Sequence, residues 1–86
     1  MNASEARELT KKYIRKDLND IIESIESYIM SSVEVGLTVT SYKFEANISY
    51  LKIKKLYYYF TLEGYSVEIH QPNDGQIYYN LSIEWK

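Results

Sequence analysis

Apolar residues recur along the first third of the chain at Leu9, Ile14, Leu18, Ile21, Ile22, Ile25, Tyr28 and Ile29, and between Ile14 and Tyr28 the spacing alternates four and three. That period lays one apolar stripe along a helix and leaves the opposite face wet. The pattern predicts one helix from about Ala3 to about Ser31. Asn2 and Glu5 stand at capping-box spacing at its start, where each side chain reaches a backbone N–H that the first turn leaves orphaned. No Gly or Pro interrupts before Gly36, so a break within the helix has no local cause. At 1.5 Å per residue the helix would be roughly 40 Å long against about 17–20 Å for an ordinary strand, so part of it must overhang any small sheet. The stripe thins to Leu9 and Tyr13 in the N-terminal half, which marks that half as the overhang.

From Val33 to Glu45 the composition turns β-rich, and a strand is expected from about Leu37 to Phe44. Leu37 and Val39 share one parity and Tyr42 and Phe44 the other, so a bulge near Ser41 is expected to reconcile them. A second helix is expected from about Ile48 to Glu63, capped by Asn47 or Ser49, with Ile53, Leu56, Tyr57 and Phe60 inward. Tyr57–Thr61 also suits a strand, but Gly64 stands where a helix takes its left-handed stop. Tyr65, Val67 and Ile69 then alternate with polar residues, Gln71–Gly75 has turn chemistry, and Ile77, Tyr79, Leu81, Ile83 and Trp85 alternate again. This is a β-hairpin. The order α-β-α-β-β predicts an α+β fold: a three-stranded, mainly antiparallel sheet with two helices packed on one face.

Length and composition narrow the function classes. Eighty-six residues make a single domain, 1–86, and 45% hydrophobic with 26% charged residues is the balance of a folded chain. Ten Lys/Arg against twelve Asp/Glu give a net charge of -2, which disfavours nonspecific nucleic-acid binding. The chain has no cysteine and one histidine, and no run of about 18 apolar residues, so no disulfide, metal site, cofactor or membrane span is expected. Met1–Glu5 leads into charged helix without an apolar h-region, so no signal peptide is expected and a cytosolic location is the default.

Catalytic candidates are thin. His70 has the polar parity of its strand, and Glu68 and Glu84, which in one register would face each other across the hairpin as a carboxylate pair, more often make a solvated sheet face. There is no phosphate loop, no GxSxG elbow, and no HExxH or EF-hand pattern, so an enzyme is not expected.

Tyrosine is the outlier, with ten copies. It offers rigid contact area with few rotatable bonds and is enriched on binding surfaces, while a core must find a partner for each hydroxyl. Tyr28, Tyr57, Tyr65 and Tyr79 fit the buried stripes; Tyr13, Tyr42, Tyr50, Tyr58 and Tyr78 have no inward assignment. Charge on helix 1 is segregated, with Arg7, Lys11, Lys12, Arg15 and Lys16 ahead of Asp17, Asp20, Glu23 and Glu26. That order opposes the helix dipole and stacks like charges at i,i+4. Antiparallel self-association through helix 1, burying Leu9, Tyr13 and Ile14, would offset the penalty, as would docking onto an acidic partner. A solvated face without a partner is the plainer alternative. Lys52, Lys54 and Lys55 beside Tyr57–Tyr59 interleave base with aromatic, as nucleic-acid stacking grooves do, but the run is short and the chain acidic. The candidate protein-binding residues are therefore Tyr13, Lys12, Lys16, Lys52, Lys55, Tyr58 and Tyr78.

A helix opening Glu5-Ala6-Arg7 with Thr10, an Ile-rich run to Gly36, Leu62-Glu63-Gly64-Tyr65-Ser66-Val67 and a final Ile83-Glu84-Trp85 together resemble small uncharacterised proteins of tailed bacteriophages. The resemblance spans nearly the whole chain on loose motifs, carries no catalytic residues, and does not include Lys52–Lys55 or Tyr57–Tyr59. It implies a phage protein acting in the host cytoplasm. From this we expect a host-takeover or anti-defence protein, a homo-oligomer through helix 1, that binds and inhibits a host bacterial protein. A minor virion component, or a sponge sequestering a small nucleotide signal between protomers, is the alternative.

Overall fold

The computed structural model describes residues 1–73 and 77–86. Asn2 opens the first helix, α1 (Ala3–Glu34), its Oδ1 accepting from the Glu5 N–H at 2.9 Å. The helix runs three residues past Ser31 before Gly36, at φ +84°, supplies the left-handed stop. Gly36 N–H then donates to the Val33 carbonyl and Leu37 N–H to that of Ser32, the paired bonds of a Schellman motif. Only its first eight residues, Ala3–Thr10, are exposed throughout and form the overhang. The rest of the expected N-terminal half packs, with Ile14 and Leu18 buried, because Lys11 and Arg15 bond to Glu63 and Tyr59 of the α2 region.

The helix is not straight. Leu18 leaves helical geometry at φ -121° and ψ 30°, a kink that the sequence does not announce, since no Pro, Gly or Ser stands within five residues of it. Helical kinks otherwise arise at those residues or where a side chain enters the ladder. Ile14, Leu18, Ile22, Ile25 and Ile29 stay buried on both sides of it.

Strand β1 (Val39–Lys43) starts two residues later than expected, and its register against the last strand is continuous from Val39↔Glu84 to Lys43↔Asn80. No bulge interrupts it. The even parity faces the core: Thr40 and Phe44 are buried and Tyr42 half-buried, while Leu37 and Val39 remain exposed. The alternation at Leu37 and Val39 marks the outer face of the strand, and the Tyr42–Phe44 parity marks the inner one.

Ser49 caps α2 (Tyr50–Leu62), its Oγ accepting from the Lys52 N–H at 3.2 Å. Gly64, at φ +107°, ends it with a second Schellman motif: Gly64 N–H donates to the Thr61 carbonyl and Tyr65 N–H to that of Phe60. The Phe60 and Tyr65 rings meet edge-on at 5.9 Å, the apolar contact that accompanies such a stop. Ile53, Leu56, Tyr59 and Phe60 are the buried residues of α2. Tyr57 is only half-buried, so Tyr59 fills the inward place expected of it.

The hairpin forms from β2 (Ser66–His70) and β3 (Asn80–Glu84), antiparallel in the register Ser66↔Glu84 to His70↔Asn80. Ile77 and Tyr79 precede the strand rather than opening it, and Ile77 is exposed. Of the expected turn, Asp74 and Gly75 lie outside the described residues. Glu68 faces Ser82 and Glu84 faces Ser66, so the two carboxylates are not opposite each other.

The sheet order is β1-β3-β2 with both neighbouring pairs antiparallel. β1 and β2 thus run parallel on either side of β3, and α2 is the crossover that parallel strands require. Both helices lie on one face, α1 over β1 and α2 over β2 and β3, and Leu81 and Ile83 of the central strand are fully buried beneath them. This is the expected α+β architecture.

Candidate docking surface

Two helices on one sheet face leave a seam between them, and charge pairs across it fix how the overhang sits. Arg15 is central. Its Nη1 donates to the Tyr59 hydroxyl and to Glu26 Oε2, both at 3.0 Å, and its Nε to Asn19 Oδ1 at 2.7 Å. Arg15 and Glu26 are eleven residues apart, about 16 Å along a straight helix, and the kink at Leu18 lies between them. Lys11 binds Glu63 at the end of α2 at 3.0 Å and Glu8 at 3.3 Å, and Lys55 binds Asp17 at 3.3 Å. The hydrogen bond to Glu63 is the largest reason the Lys11 ammonium is held above its ordinary range, and the bond to Glu26 does the same for Arg15. The charge order of α1 therefore has an intramolecular answer, because two of its five leading cations bind acids of α2 or of the helix's own second half. Arg7, Lys12 and Lys16 make no ion pair among the described residues.

Beside these bridges the flank of α1 and the start of α2 enclose a shallow groove of about 440 Å³, lined by Ala6, Leu9, Thr10, Tyr13, Ile14 and Lys55. Tyr13 is 67% exposed and Leu9 38%. Immediately along the seam, Lys16 and Lys52 face a second hollow across Asp17 and Asp20. Lys12 lies one turn before Lys16, and Tyr58 and Leu51, both exposed, stand one turn either side of Lys55 on the outer flank of α2. The structure thus gathers Tyr13, Lys16, Lys52 and Lys55 along one seam, with Lys12 and Tyr58 at its margins. Tyr78 does not join them: it sits by Lys43, whose Nζ lies 4.7 Å from its ring centroid.

The tyrosines sort differently from their sequence assignment. Tyr28 is 51% exposed although it lies on the predicted buried stripe, because it occupies the margin of that stripe and meets Tyr42 edge-on at 5.1 Å. Tyr42 turns inward with the even parity of β1 and continues the chain of rings to Phe44. Tyr59, unassigned from the sequence, is buried and finds its hydroxyl partner in Arg15.

A further hollow, of about 450 Å³, runs from Ile21 past Tyr42–Phe44 to Asn47–Ser49 and Lys52. Sequence patterning missed it. Its one signal was the pair of cap candidates Asn47 and Ser49, whose polar side chains border it. His70 is exposed on the open sheet face with Glu68 Oε2 3.7 Å from its Nε2. Among the described residues no cluster of three or more His, Cys, Asp or Glu is placed to hold a metal, and no buried side-chain nitrogen or oxygen lacks a partner. No helix among them is long and apolar enough to cross a membrane.

Fold and surface define a small α+β domain that carries a lysine- and tyrosine-bearing seam between two helices. Compared with protein-family models, curated proteins and solved structures, the chain matches none.

Proposed function

We propose that this chain is a non-catalytic binding protein that occupies an acidic surface of a host bacterial protein and inhibits it, as its resemblance to small tailed-bacteriophage proteins implies. The observation that carries the proposal is the seam between the helices, where the exposed Tyr13 and Leu9 of α1 lie beside Lys55 and close to Lys16 and Lys52. Exposed aromatics supply area at low entropic cost, and lysines around them select a partner of opposite charge and raise the rate of encounter. Asp17 and Asp20 share this seam and Asp17 pairs with Lys55, so the cations left for a partner are Lys16 and Lys52, which make no ion pair among the described residues.

The test is capture of a partner from phage-infected host lysate by the tagged chain, compared with Tyr13→Ala/Tyr58→Ala and Lys16→Glu/Lys52→Glu chains. One host protein recovered near one-to-one, lost with both variants, weakened by salt, and inhibited by the purified chain is the expected result. Capsid or tail proteins in its place would make the chain a virion part, and thermal stabilisation by a nucleotide with no protein captured would make it a sponge.

A further inference from the structure

β1 is an edge strand whose outer side has no strand partner among the described residues. Phe44 N–H donates to the Tyr79 carbonyl at 2.9 Å and Trp85 N–H to the Thr38 carbonyl at 3.0 Å, one bond at each end of the β1–β3 pairing. Antiparallel ladders alternate bonded and non-bonded residue pairs. Even-numbered residues from Thr38 to Phe44 therefore spend their backbone groups on β3, and the N–H and C=O groups of Val39, Ser41 and Lys43 point away from the sheet. Along this edge stands the flank of α1, where Tyr28, Ser31, Ser32, Val35 and Thr40 line a hollow of about 260 Å³. Val35 is 72% exposed, and Leu37 and Val39 carry the apolar surface onto the strand. Tyr28 and Val35 on the helix side and Leu37 and Val39 on the open side together expose on the order of a few hundred Å² along the two sides of this edge.

We infer that this edge is a homodimer interface, in which β1 pairs antiparallel with β1 of a second copy about a twofold axis at Ser41. In that register Ser41 lies opposite the partner subunit's Ser41, Val39 opposite the partner's Lys43, and Lys43 opposite the partner's Val39. Every outward-pointing residue then meets another outward-pointing residue, so all three can exchange backbone hydrogen bonds. A slip of one residue would set them against groups already committed to β3. Charge agrees with the register. No like charges meet across the axis, and the partner's Lys43 enters the cross-strand row that already holds Val39 and Glu84, bringing an ammonium toward a carboxylate. Next to the strands the two Tyr28–Val35 flanks come together, with Tyr28 and Val35 as the apolar contacts on either side of Ser31 and Ser32. A lone extended peptide would pair with the edge but leave those flanks wet; a second copy brings its own helix to cover them, as a twofold interface must. The two sheets become one of six strands, and the unprotected edge disappears.

This interface lies apart from the seam of the proposed docking surface, and its test needs no second protein. Sedimentation of the full chain should give twice 10.2 kDa. Val35→Lys, at a site too exposed to disturb the fold, and Ser41→Pro, which removes an outward N–H but no bond to β3, should each weaken the dimer about tenfold or more. Amide exchange should be slow at Val39, Ser41 and Lys43 in concentrated wild-type protein and fast on dilution or in Val35→Lys. A monomeric wild-type chain overturns the inference, and so does a dimer that Val35→Lys leaves intact. A dimer lost in Lys12→Glu/Lys16→Glu but kept in Val35→Lys would put the contact on the overhang of α1 and overturn it equally.

Discussion

Arg15 binds the two helices together at one point, and the groups around it give the fold a pH dependence. Lys11 is held above its ordinary 10.5 first by its bond to Glu63, and Tyr65 above its ordinary 10.0 first by burial, with Glu63 and Glu26 adding to it. In both cases the folded chain keeps a proton that the unfolded chain releases sooner. The stability they contribute is complete below the ordinary values and is lost as pH climbs through the raised ones. The thermal midpoint should therefore be level between about pH 7 and 9 and fall beyond about 10, less steeply in Tyr65→Phe. A midpoint that stays level into that range would remove Lys11 and Tyr65 from the account. At this scale the sequence was least legible. Tyr57, Tyr58 and Tyr59 are consecutive, so residue type gave no reason to choose among them, and only Arg15, forty-four positions away, selects Tyr59 as the buried one.

At the scale of elements the sequence was most legible, because caps and stops act over three or four residues. Asn2, Ser49, Gly36 and Gly64 all stand where their chemistry put them. At Gly64 the requirement is backbone alone, since a Cβ there would meet nothing within 4 Å. Gly64→Ala should thus cost about 1–2 kcal/mol, the penalty of a left-handed L-residue, with no clash added. Urea titration reads it as a lower midpoint at unchanged slope, and an unaltered midpoint would mean that the Schellman turn had shifted to another residue. The kink at Leu18 is the exception among the elements. Nothing within a few residues calls for it, and its neighbours Arg15 and Asn19 instead take part in contacts that reach Glu26 and Tyr59.

For the molecule as a whole, one cluster carries the fold. Phe60, Ile22, Ile25, Ile53, Leu56, Leu81 and Ile83 are its largest fully buried side chains, drawn from both helices and the central strand. Removing such an aromatic costs about 3–5 kcal/mol, a large part of the roughly 5–15 kcal/mol that holds an ordinary domain together. Phe60→Ala should lower the thermal midpoint read by circular dichroism by more than about 10 °C, whereas Tyr58→Ala, two positions away on the exposed flank, should melt within a few degrees of the wild type. Equal melting of the two would contradict the division between core and surface drawn here.

By itself the sequence determined the kinds and order of elements, their caps, and the fact that one long helix overhangs a small sheet. Each of these is set by periodicity or by hydrogen bonds between residues a few positions apart. Tertiary structure alone decided that β3 lies between β1 and β2, that α1 bends at Leu18, and that Lys11 and Arg15 turn inward to Glu63 and Tyr59. It likewise brought Tyr13 beside Lys55 and Lys16 beside Lys52. These outcomes depend on residues from 36 positions apart, as Lys16 and Lys52, to 52, as Lys11 and Glu63, meeting across the packed helices and sheet, and no local window along the chain contains both partners of such a contact.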